Sequence, residues 1–364
     1  MAAEVLFARY SPRTLEPKNS IGARWTRLLD RLDLGGVVRG KRTAIKMHLG
    51  GGAGFTTVHP FLVRKLVEKV KEAGAREVFA TDVPSAVAWA AERGYTAETL
   101  GCRLVSGTGT ADRYFYKKAI DPPFLTLSEV ELAGEVIDAE ALVDLSHVKG
   151  HGACGFGGAS KNLSMGCVTQ NTRGHLHALE GGLVWDESKC DRCNVCAKNC
   201  PNGALSFKND RFEVFWHNCK FCQHCVLICP NHAITMVGGK YRNFQKGMAL
   251  TTAKVLGTFA PENVVFVNVL VDVTIFCDCW GMTTPALVPD IGIVAARDIV
   301  AIERASLDLI RAEDLIPGSL PAGWPLGETG HLFERVHHKD PAAVVDCLAE
   351  LGCGSKEYRL VEVE

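Results

Sequence analysis

The chain has 364 residues, which is too long for one small domain and predicts two or three structural units. Its 40 basic and 41 acidic residues give a formal net charge of -1 and include no basic run, so nucleic acid is not an expected partner. The first residues lack a basic leader, and the most apolar stretch, 264–271, is too short to cross a bilayer. We therefore expect a soluble, cytoplasmic protein with no membrane partner.

Strand and helix patterns alternate along the first part of the chain. Apolar runs predict strands, and apolar residues at helical spacing predict helices, one of them with a proline at its start and Gly74 at its end. The predicted strands cover 5–8, 42–47, 77–81 and 141–145, and the predicted helices cover 21–32, 60–73 and 85–93, with another from about residue 159. This order is typical of repeated βαβ units.

The middle of the chain contains the motif CxxCxxCxxxCP twice, with a period of 29 residues. Short β-rich stretches at 204–207, 212–216 and 233–236 alternate with the cysteine loops. This is the spacing with which bacterial-type ferredoxins hold two [4Fe-4S] clusters. We therefore predict a ferredoxin-like unit over 183–237.

The expected ligand sets are crossed, because three closely spaced thiolates converge on one cluster while the fourth points to the other. One set is Cys190, Cys193, Cys196 and Cys229, and the other is Cys219, Cys222, Cys225 and Cys200. Structural zinc is the alternative, but a zinc site does not require a third in-phase cysteine or a Cys-Pro ending. Reduced thiols beside low-potential clusters also indicate a reducing, oxygen-poor compartment.

The alternation of strands and helices resumes after the cysteine repeat. Helices are predicted over 244–259, 298–310 and 342–351, and strands over 264–271, 291–295 and 358–361. This pattern predicts an α/β fold, a mostly parallel sheet with helices on both faces. We expect one discontinuous α/β domain, residues 1–182 and 238–364, interrupted by the ferredoxin-like unit; two separate α/β halves are the alternative.

Two glycine-rich loops follow predicted strands, where α/β proteins bind their ligands. The first loop begins with His48, and the second contains His147, Lys149, His151 and Lys161. Histidines there suit proton transfer or metal binding, and lysines suit an anion or covalent modification, although ordinary surface positions are the alternative. The glycines and the helix start near residue 159 also predict an anion at the backbone amides. Neither loop has a dinucleotide or P-loop signature, so we predict no nucleotide site.

Cys277 and Cys279 follow another predicted strand and are therefore expected at the same sheet edge. They could bind a metal, exchange electrons or be buried apolar groups. With Cys167 they would make a third, substrate-binding iron-sulfur centre possible. Arg173, His175 and His177 are expected either to line the pocket or to form a polar linker.

With these segments in view, the chain resembles the domain-of-unknown-function family numbered 362, in the form with an inserted ferredoxin domain. The resemblance is carried by the segments 143–151, 155–167, 277–279 and 289–293 and covers nearly the whole chain. Since that family has no assigned activity, the resemblance implies architecture more than function.

A weaker resemblance links the second glycine-rich loop to the nickel-pincer lactate racemases, whose loop has the form HxxxGFxGxxKxxxxG. The matching positions are His151, Gly155, Phe156, Gly158, Lys161 and Gly166. The resemblance implies a pocket containing His151 and Lys161, with the lysine as the cofactor-bearing residue of that family. The chain departs from the family in its inserted cysteine repeat and in lacking a proline before Gly166.

The leading hypothesis is an oxidoreductase that passes electrons from two [4Fe-4S] clusters to a small anionic substrate. Its expected partners are a redox protein (a ferredoxin, flavodoxin or reductase) and the substrate, with a homo-oligomer left open. The expected catalytic residues are His48, His147, Lys149, His151, Lys161, Cys277 and Cys279. The alternatives are an electron carrier without its own substrate, a pincer-type enzyme without redox chemistry, and a protein for cluster assembly or metal delivery.

Overall fold

The computed structural model describes residues 2–364 except 181, 202, 215–218, 220–222 and 238–241. The strands are β1 Ala3–Arg9, β2 Arg42–Met47, β3 Glu77–Asp82, β4 Arg103–Ser106, β5 Phe115–Phe124, β6 Leu127–Ala133, β7 Ala141–His147, β8 Lys149–His151, β9 Gly155–Gly157, β10 Gly182–Trp185, β11 Leu205–Lys208, β12 Arg211–Val214, β13 Ile234–Val237, β14 Val264–Leu270, β15 Gly292–Ala296 and β16 Tyr358–Glu362. The α-helices are α1 Ile21–Arg31, α2 Leu34–Val38, α3 Pro60–Glu72, α4 Pro84–Ala88, α5 Ala97–Leu100, α6 Gly134–Ile137, α7 Ala159–Gly166, α8 Gln170–Ala178, α9 Val195–Lys198, α10 His224–Ile228, α11 Arg242–Leu256, α12 Ile299–Leu309, α13 Leu332–His337 and α14 Ala343–Glu350.

Eight strands form the central sheet in the order β16-β1-β15-β14-β7-β2-β3-β4. All run in one direction except β15, which is antiparallel to both of its neighbours. Strands from before and after the cysteine repeat lie side by side, since β7 pairs with β14 and β1 pairs with β16. The α/β class and the mostly parallel sheet predicted from the sequence are confirmed.

Each face of the sheet packs against its own layer of helices, because successive strand residues point to opposite faces. On β2, Ala44 belongs to the core that includes α7, α11, α12 and α14, while Ile45 belongs to the core that includes α1 and α3. Phe266 and Val267 on β14 divide in the same way. A central strand buried on both faces needs continuous apolar residues, which is why these strands were recognisable in the sequence.

Other elements differ from the sequence prediction. The helix predicted over 85–93 is divided into α4 and a 3₁₀ turn, Ala90–Arg93. The hairpins β5–β6 and β8–β9 were missed. Much of β5 is exposed and lacks an apolar alternation, and β8 and β9 are three-residue strands rich in glycine.

The cysteine repeat of the sequence is matched by a repeat of structure. β10 pairs with β13, and β11 pairs with β12. Each second-half element begins 29 positions after its counterpart: β10 and β12 at 182 and 211, α9 and α10 at 195 and 224, and β11 and β13 at 205 and 234. Part of the predicted stretch 212–216 and the second-half residue Cys222 lie outside the described residues.

The amino end of α7 is occupied by a carboxylate of the protein itself. Glu303 on α12 accepts hydrogen bonds from the Ala159 amide at 2.7 Å, the Ser160 hydroxyl at 2.6 Å and the Asn268 side chain at 3.1 Å. Burial raises the pKa of Glu303, while these donated hydrogen bonds act in the opposite direction. The predicted external anion at this helix start is therefore a wrong assignment, because the buried side chain of Glu303 takes its place.

Glu303→Ala should lower the free energy of unfolding by roughly 2–4 kcal/mol, because it leaves buried donors on α7 and β14 without an acceptor. Chemical denaturation under anaerobic conditions measures the difference. Glu328→Ala, at an exposed position, is the matched control and should change stability by less than about 0.5 kcal/mol. Equal stability of the two variants would contradict the anchoring role of Glu303.

Candidate active site

A cavity of about 460 Å³ lies at the carboxyl ends of β2, β3 and β7. It lies at this edge because parallel strands deliver the residues that follow them to one side of the sheet. All of the residues expected to be catalytic line it: His48, His147, Lys149, His151, Lys161, Cys277 and Cys279. Their chemical roles remain predictions.

A buried ion pair fixes the first glycine-rich loop. Asp82, the last residue of β3, accepts from Lys46 Nζ at 2.9 Å and from the Leu49 amide at 2.9 Å, and its second oxygen lies 3.2 Å from His48 Nδ1. Burial alone would raise the pKa of Asp82, but Lys46 and the hydrogen bond to His48 outweigh it and hold the pKa well below its usual range. Asp82 therefore orients the His48 ring as a charged acceptor.

Asn162 on α7 connects this pair to a second buried carboxyl group. Its side-chain oxygen accepts from Lys46 Nζ at 2.6 Å, and its amide nitrogen donates to Asp144 on β7 at 2.7 Å. Burial raises the pKa of Asp144 to about 8, although hydrogen bonds from Ser146 and Asn162 and the charge of Lys46 oppose this. A Cβ atom at position 166 would lie 2.4 Å from Lys46 Nζ. The buried lysine side chain therefore fits beside this position because residue 166 is glycine.

His147 holds the segment that carries the cysteine pair. Its Nδ1 lies 3.2 Å from Asp278, and its Nε2 donates to the Val271 carbonyl at 2.8 Å. Thr56 donates to the same Asp278 side chain at 2.6 Å. Because both ring nitrogens already have protein partners, the geometry favours a positioning role for His147.

Cys277 and Cys279 share a lysine. Lys161 Nζ lies 3.6 Å from Cys277 Sγ and 3.7 Å from Cys279 Sγ. Burial opposes ionisation of Cys277, but its hydrogen bond with Cys279 and the positive charges of Lys161 and Lys149 hold its pKa well below the usual range. These neighbours therefore favour the thiolate form of Cys277.

His151 lies beside this thiol pair as a neutral ring. Its Nδ1 accepts from the Ala153 amide at 3.1 Å, which leaves the proton on Nε2, 4.0 Å from Cys279 Sγ. Burial and the nearby charge of Lys161 lower the pKa of His151 well below its usual value. The ring is therefore suited to donate a hydrogen bond from Nε2.

The loop carrying His48 and the loop carrying the two cysteines meet at two glycines. The Ala53 amide donates to the Gly281 carbonyl at 2.8 Å. Gly52 has a φ of +50°, and a side chain there would lie 2.7 Å from the Gly281 Cα. Only glycine allows this close approach, which brings His48 towards Cys277 and Cys279.

The cavity wall carries more positive than negative charge. Lys149, Lys161 and Arg173 line it, whereas Asp82 is already paired with Lys46. Trp89 also lines the cavity and is 54% exposed, which places an aromatic ring at the opening. This wall suits a small anion.

Some cavity residues were not among the predicted site residues. These are chiefly Lys46, Asp82, Trp89 and Asn162. Asp82 directly follows a predicted strand, 77–81, so the same strand-end rule that selected His48 could have found it. Lys46 could not be found in this way, because it lies within a strand and its burial depends on Asp82 and Asn162.

Cys167 is not in this group of side chains. It is fully buried in the apolar core beside α7, and burial raises the pKa of its thiol to about 12. Among the described residues, the side chains that come within metal-binding distance of one another are His48, Cys277 and Cys279. Cys167 is therefore not positioned as the third sulfur ligand. Arg173 and His177 line the cavity, whereas His175 is exposed.

The cysteine repeat brings together the thiols of the first predicted ligand set. Burial raises the pKa of Cys196, and the neighbouring Cys229, Cys190 and Cys193 thiols raise it further. Each Cys-Pro cysteine accepts a backbone N–H four residues on, Cys200 from Ala204 at 3.2 Å and Cys229 from Ala233 at 3.3 Å. In the second set Cys219 and Cys225 are buried, and Cys222 lies outside the described residues.

Comparison with known proteins places this architecture in a family. The family model described as "Domain of unknown function (DUF362)" matches residues 43–308. The chain belongs to the DUF362 family. A "Ferredoxin-like protein in nif region" of Rhizobium leguminosarum bv. trifolii is 56% identical over 27 residues, which is 7% of this chain and 42% of that protein's length.

Two solved structures share similarity with this DUF362 chain. The lactate racemase apoprotein from Thermoanaerobacterium thermosaccharolyticum aligns with 12% identity and a TM-score of 0.34, over 74% of this chain and 51% of that protein. A structural-genomics protein from Thermotoga maritima aligns with 9% identity and a TM-score of 0.36, over 71% and 52%. The chain thus spans about half the length of each. Within the described residues, no helix combines the length and apolarity of a membrane span.

Asp144→Asn should remove a pH dependence of stability. The folded-state pKa of about 8 exceeds the ordinary value of 3.8, so the unfolded chain ionises first as the pH rises. The parent should therefore lose stability between about pH 4 and 8 relative to the variant, by up to roughly 1.4 kcal/mol per pH unit, with no further loss above pH 8. Apparent melting temperatures across this range measure the effect.

Asp30→Asn, at an exposed position, is the control and should keep the parent's pH profile. If Asp144→Asn and the parent melt in parallel from pH 5 to 9, Asp144 is ionised in the fold and the assignment fails.

Proposed function

We propose that this DUF362 protein is an iron-sulfur oxidoreductase that passes electrons from two [4Fe-4S] clusters to a small anionic substrate in the cavity. The observation that supports the proposal is that one chain contains both a ferredoxin-like cysteine repeat and a cationic cavity. A ferredoxin-like cysteine repeat lies directly after α8, and α8 contributes Arg173 and His177 to the cationic cavity. An electron carrier has no need for such a cavity.

The cysteines of the repeat fit the ligand sets expected for two clusters. The thiols of Cys190, Cys193 and Cys229 lie close enough to Cys196 to raise its pKa, and backbone N–H groups reach the Sγ atoms of the Cys-Pro cysteines. Such N–H to sulfur bonds stabilise thiolates that carry a cluster. When bound, the clusters supply one-electron transfer at low potential. The match to a ferredoxin-like protein supports the same assignment.

In this proposal the cavity side chains bind the substrate through charge pairing and hydrogen bonds. Lys149 and Arg173 would attract a carboxylate or phosphate, because few anionic side chains offset them at the wall. His151 would donate a hydrogen bond from Nε2 to the substrate, since its Nδ1 is held as an acceptor, and the protons that the reduction consumes would come from water. Lys161 would offset the charge of the two thiols and of the substrate.

Helix α8 offers the connection between the two features. His177 stacks on Phe244, with ring centroids 4.7 Å apart, and also lines the cavity. Leu176 and Leu179, which flank it, belong to the same buried core as Cys219. In this proposal electrons cross the region of α8 between the repeat and the cavity.

The repeat also has a surface on which a redox partner could dock. Cys193 is exposed, and Leu227 on α10 is 76% exposed beside the predicted ligands Cys225 and Cys229. An apolar residue next to a cluster is a common feature of transient electron-transfer contacts. A ferredoxin, flavodoxin or reductase is the expected donor.

A second candidate is pincer-type chemistry without electron transfer. The observation that favours it is that Lys161 and His151, the two functional residues implied by the lactate-racemase loop resemblance, both line the cavity. Intact-mass and peptide mass spectrometry of protein from the native source decide this point. A cofactor adduct on Lys161 would support the racemase-like chemistry, and unmodified Lys161 would contradict it.

The cluster assignment is tested by iron and sulfide analysis after anaerobic purification. The parent should contain about eight irons per chain, and Cys193→Ala should fall towards about four, because it removes one ligand of the first cluster. Cys347→Ala, a half-buried thiol on α14, is the matched control and should keep the parent's iron content. Zinc in place of iron and sulfide would contradict the assignment.

The cavity is tested by the anaerobic reoxidation of dithionite-reduced protein, followed by cluster absorbance, with a panel of small 2-oxo and unsaturated carboxylates. At least one carboxylate should speed reoxidation, and Lys149→Met should reduce that rate by at least tenfold while iron content stays at the parent level. Lys118→Met, at an exposed position outside the cavity and the cysteine repeat, is the control. Equal rates in Lys149→Met and the parent would favour the electron-carrier alternative.

A further inference from the structure

Three side chains of the kind that bind transition metals meet in the cavity wall. His48 offers a ring nitrogen and Cys277 and Cys279 each offer a sulfur, and these ligand atoms all lie within 4.8 Å of one another. Cys277 is 1% exposed, and all three residues line the cavity. They come from two loops that the Gly52 and Gly281 contact holds together.

The orientation of His48 is the second observation. Its Nδ1 is held by Asp82 at 3.2 Å, while its Nε2 is buried without a nitrogen or oxygen partner among the described residues, and the ring interacts with the Cys277 sulfur. A histidine that ligates a metal through one nitrogen almost always gives the other to a carboxylate or carbonyl. Asp82 is itself fixed by Lys46 and the Leu49 amide, so this support is rigid.

Lys161 marks the same place. Its ammonium group lies 3.6 Å and 3.7 Å from the two sulfurs, where it offsets their charge as a bound cation would. A metal at this position would displace the flexible lysine towards the cavity. The ammonium group would then be available to an anionic substrate.

We propose that His48, Cys277 and Cys279 bind one divalent metal ion of zinc-like softness, with the fourth ligand supplied from the cavity. Two thiolates and one imidazole suit zinc, and three protein ligands with one open position are typical of catalytic zinc sites. Both sulfurs bind as thiolates, so binding releases any proton that they still carry and forms two metal–sulfur bonds and one metal–nitrogen bond. In a tetrahedral site with bonds of about 2.3 Å the sulfurs lie about 3.8 Å apart, so the side chains close by only about 1 Å.

This inference deepens the proposed function, on which its catalytic meaning rests. The metal would hold an oxygen of the anionic substrate, while Lys149 and Lys161 pair with its charge. Metal binding itself needs no electron from the cysteine repeat, so the two proposals can fail separately.

The test uses the full chain, purified anaerobically with its iron complement and given one equivalent of Zn²⁺. Zinc K-edge X-ray absorption should show two sulfur ligands at about 2.3 Å and nitrogen or oxygen ligands at about 2.0–2.1 Å. Competition with a chromophoric chelator measures affinity. Cys277→Ser and His48→Ala should weaken Zn²⁺ binding at least 100-fold, and Asp82→Asn about 10–100-fold.

Cys167→Ala is the matched control, since this buried thiol lies in the core, and it should bind Zn²⁺ like the parent. Cys279→Ser, at a half-buried position, provides a second ligand variant should Cys277→Ser fail to fold. Iron analysis and circular dichroism on the same samples report folding and cluster content.

A Zn²⁺ affinity that is unchanged in His48→Ala and Cys279→Ser overturns the metal site, as does a zinc spectrum with four sulfur ligands. Retained Zn²⁺ binding in a parent protein that lacks iron and sulfide contradicts the proposed electron transfer instead. Lost Zn²⁺ binding with full iron content contradicts only the metal site.

Discussion

The buried carboxylate of Asp82 is the constraint on which the cavity depends. A charge at the end of a central strand is costly unless it is paired and hydrogen-bonded, and Asp82 meets this demand with Lys46, His48 and the Leu49 amide. Satisfying it fixes a lysine inside the sheet, the orientation of a histidine and the path of a glycine-rich loop. Asn162 extends this network to α7, and the network therefore also positions that helix beside the cavity.

Two parts of the second glycine-rich loop have different roles. The helix start at Ala159 offers amides that suit an anion, but Glu303 fills this position from α12 and uses it to anchor α7. Lys149 and Lys161, the positive side chains on either side of this helix start in the sequence, line the cavity. In the proposed function the electrostatic attraction for a substrate would therefore come from side chains and not from the helix end.

Much of the fold could be predicted from the sequence because central parallel strands are buried on both faces and read as apolar runs. The direction of β15 could not, since this strand is buried on both faces and has the same continuous apolar pattern as its parallel neighbours. The seven cavity residues that were expected to be catalytic could be found by the strand-end rule. The pairing of Lys46 with Asp82 and the burial of Cys167 away from Cys277 depend on tertiary contacts that no local pattern encodes. The 29-residue repeat is visible in the cysteine spacing of the sequence and again in the spacing of the strands and helices of the structure.

Electron transfer to the cavity requires the cysteine repeat to lie close to it. A crystal structure of the anaerobically purified protein tests this most directly. It should contain two [4Fe-4S] clusters, with the nearer one separated from the Cys277 sulfur by no more than about one helix diameter, roughly 10–12 Å, in the region of α8. Clusters on the far side of the sheet from the cavity, or zinc in their place, would contradict electron transfer as the purpose of this architecture.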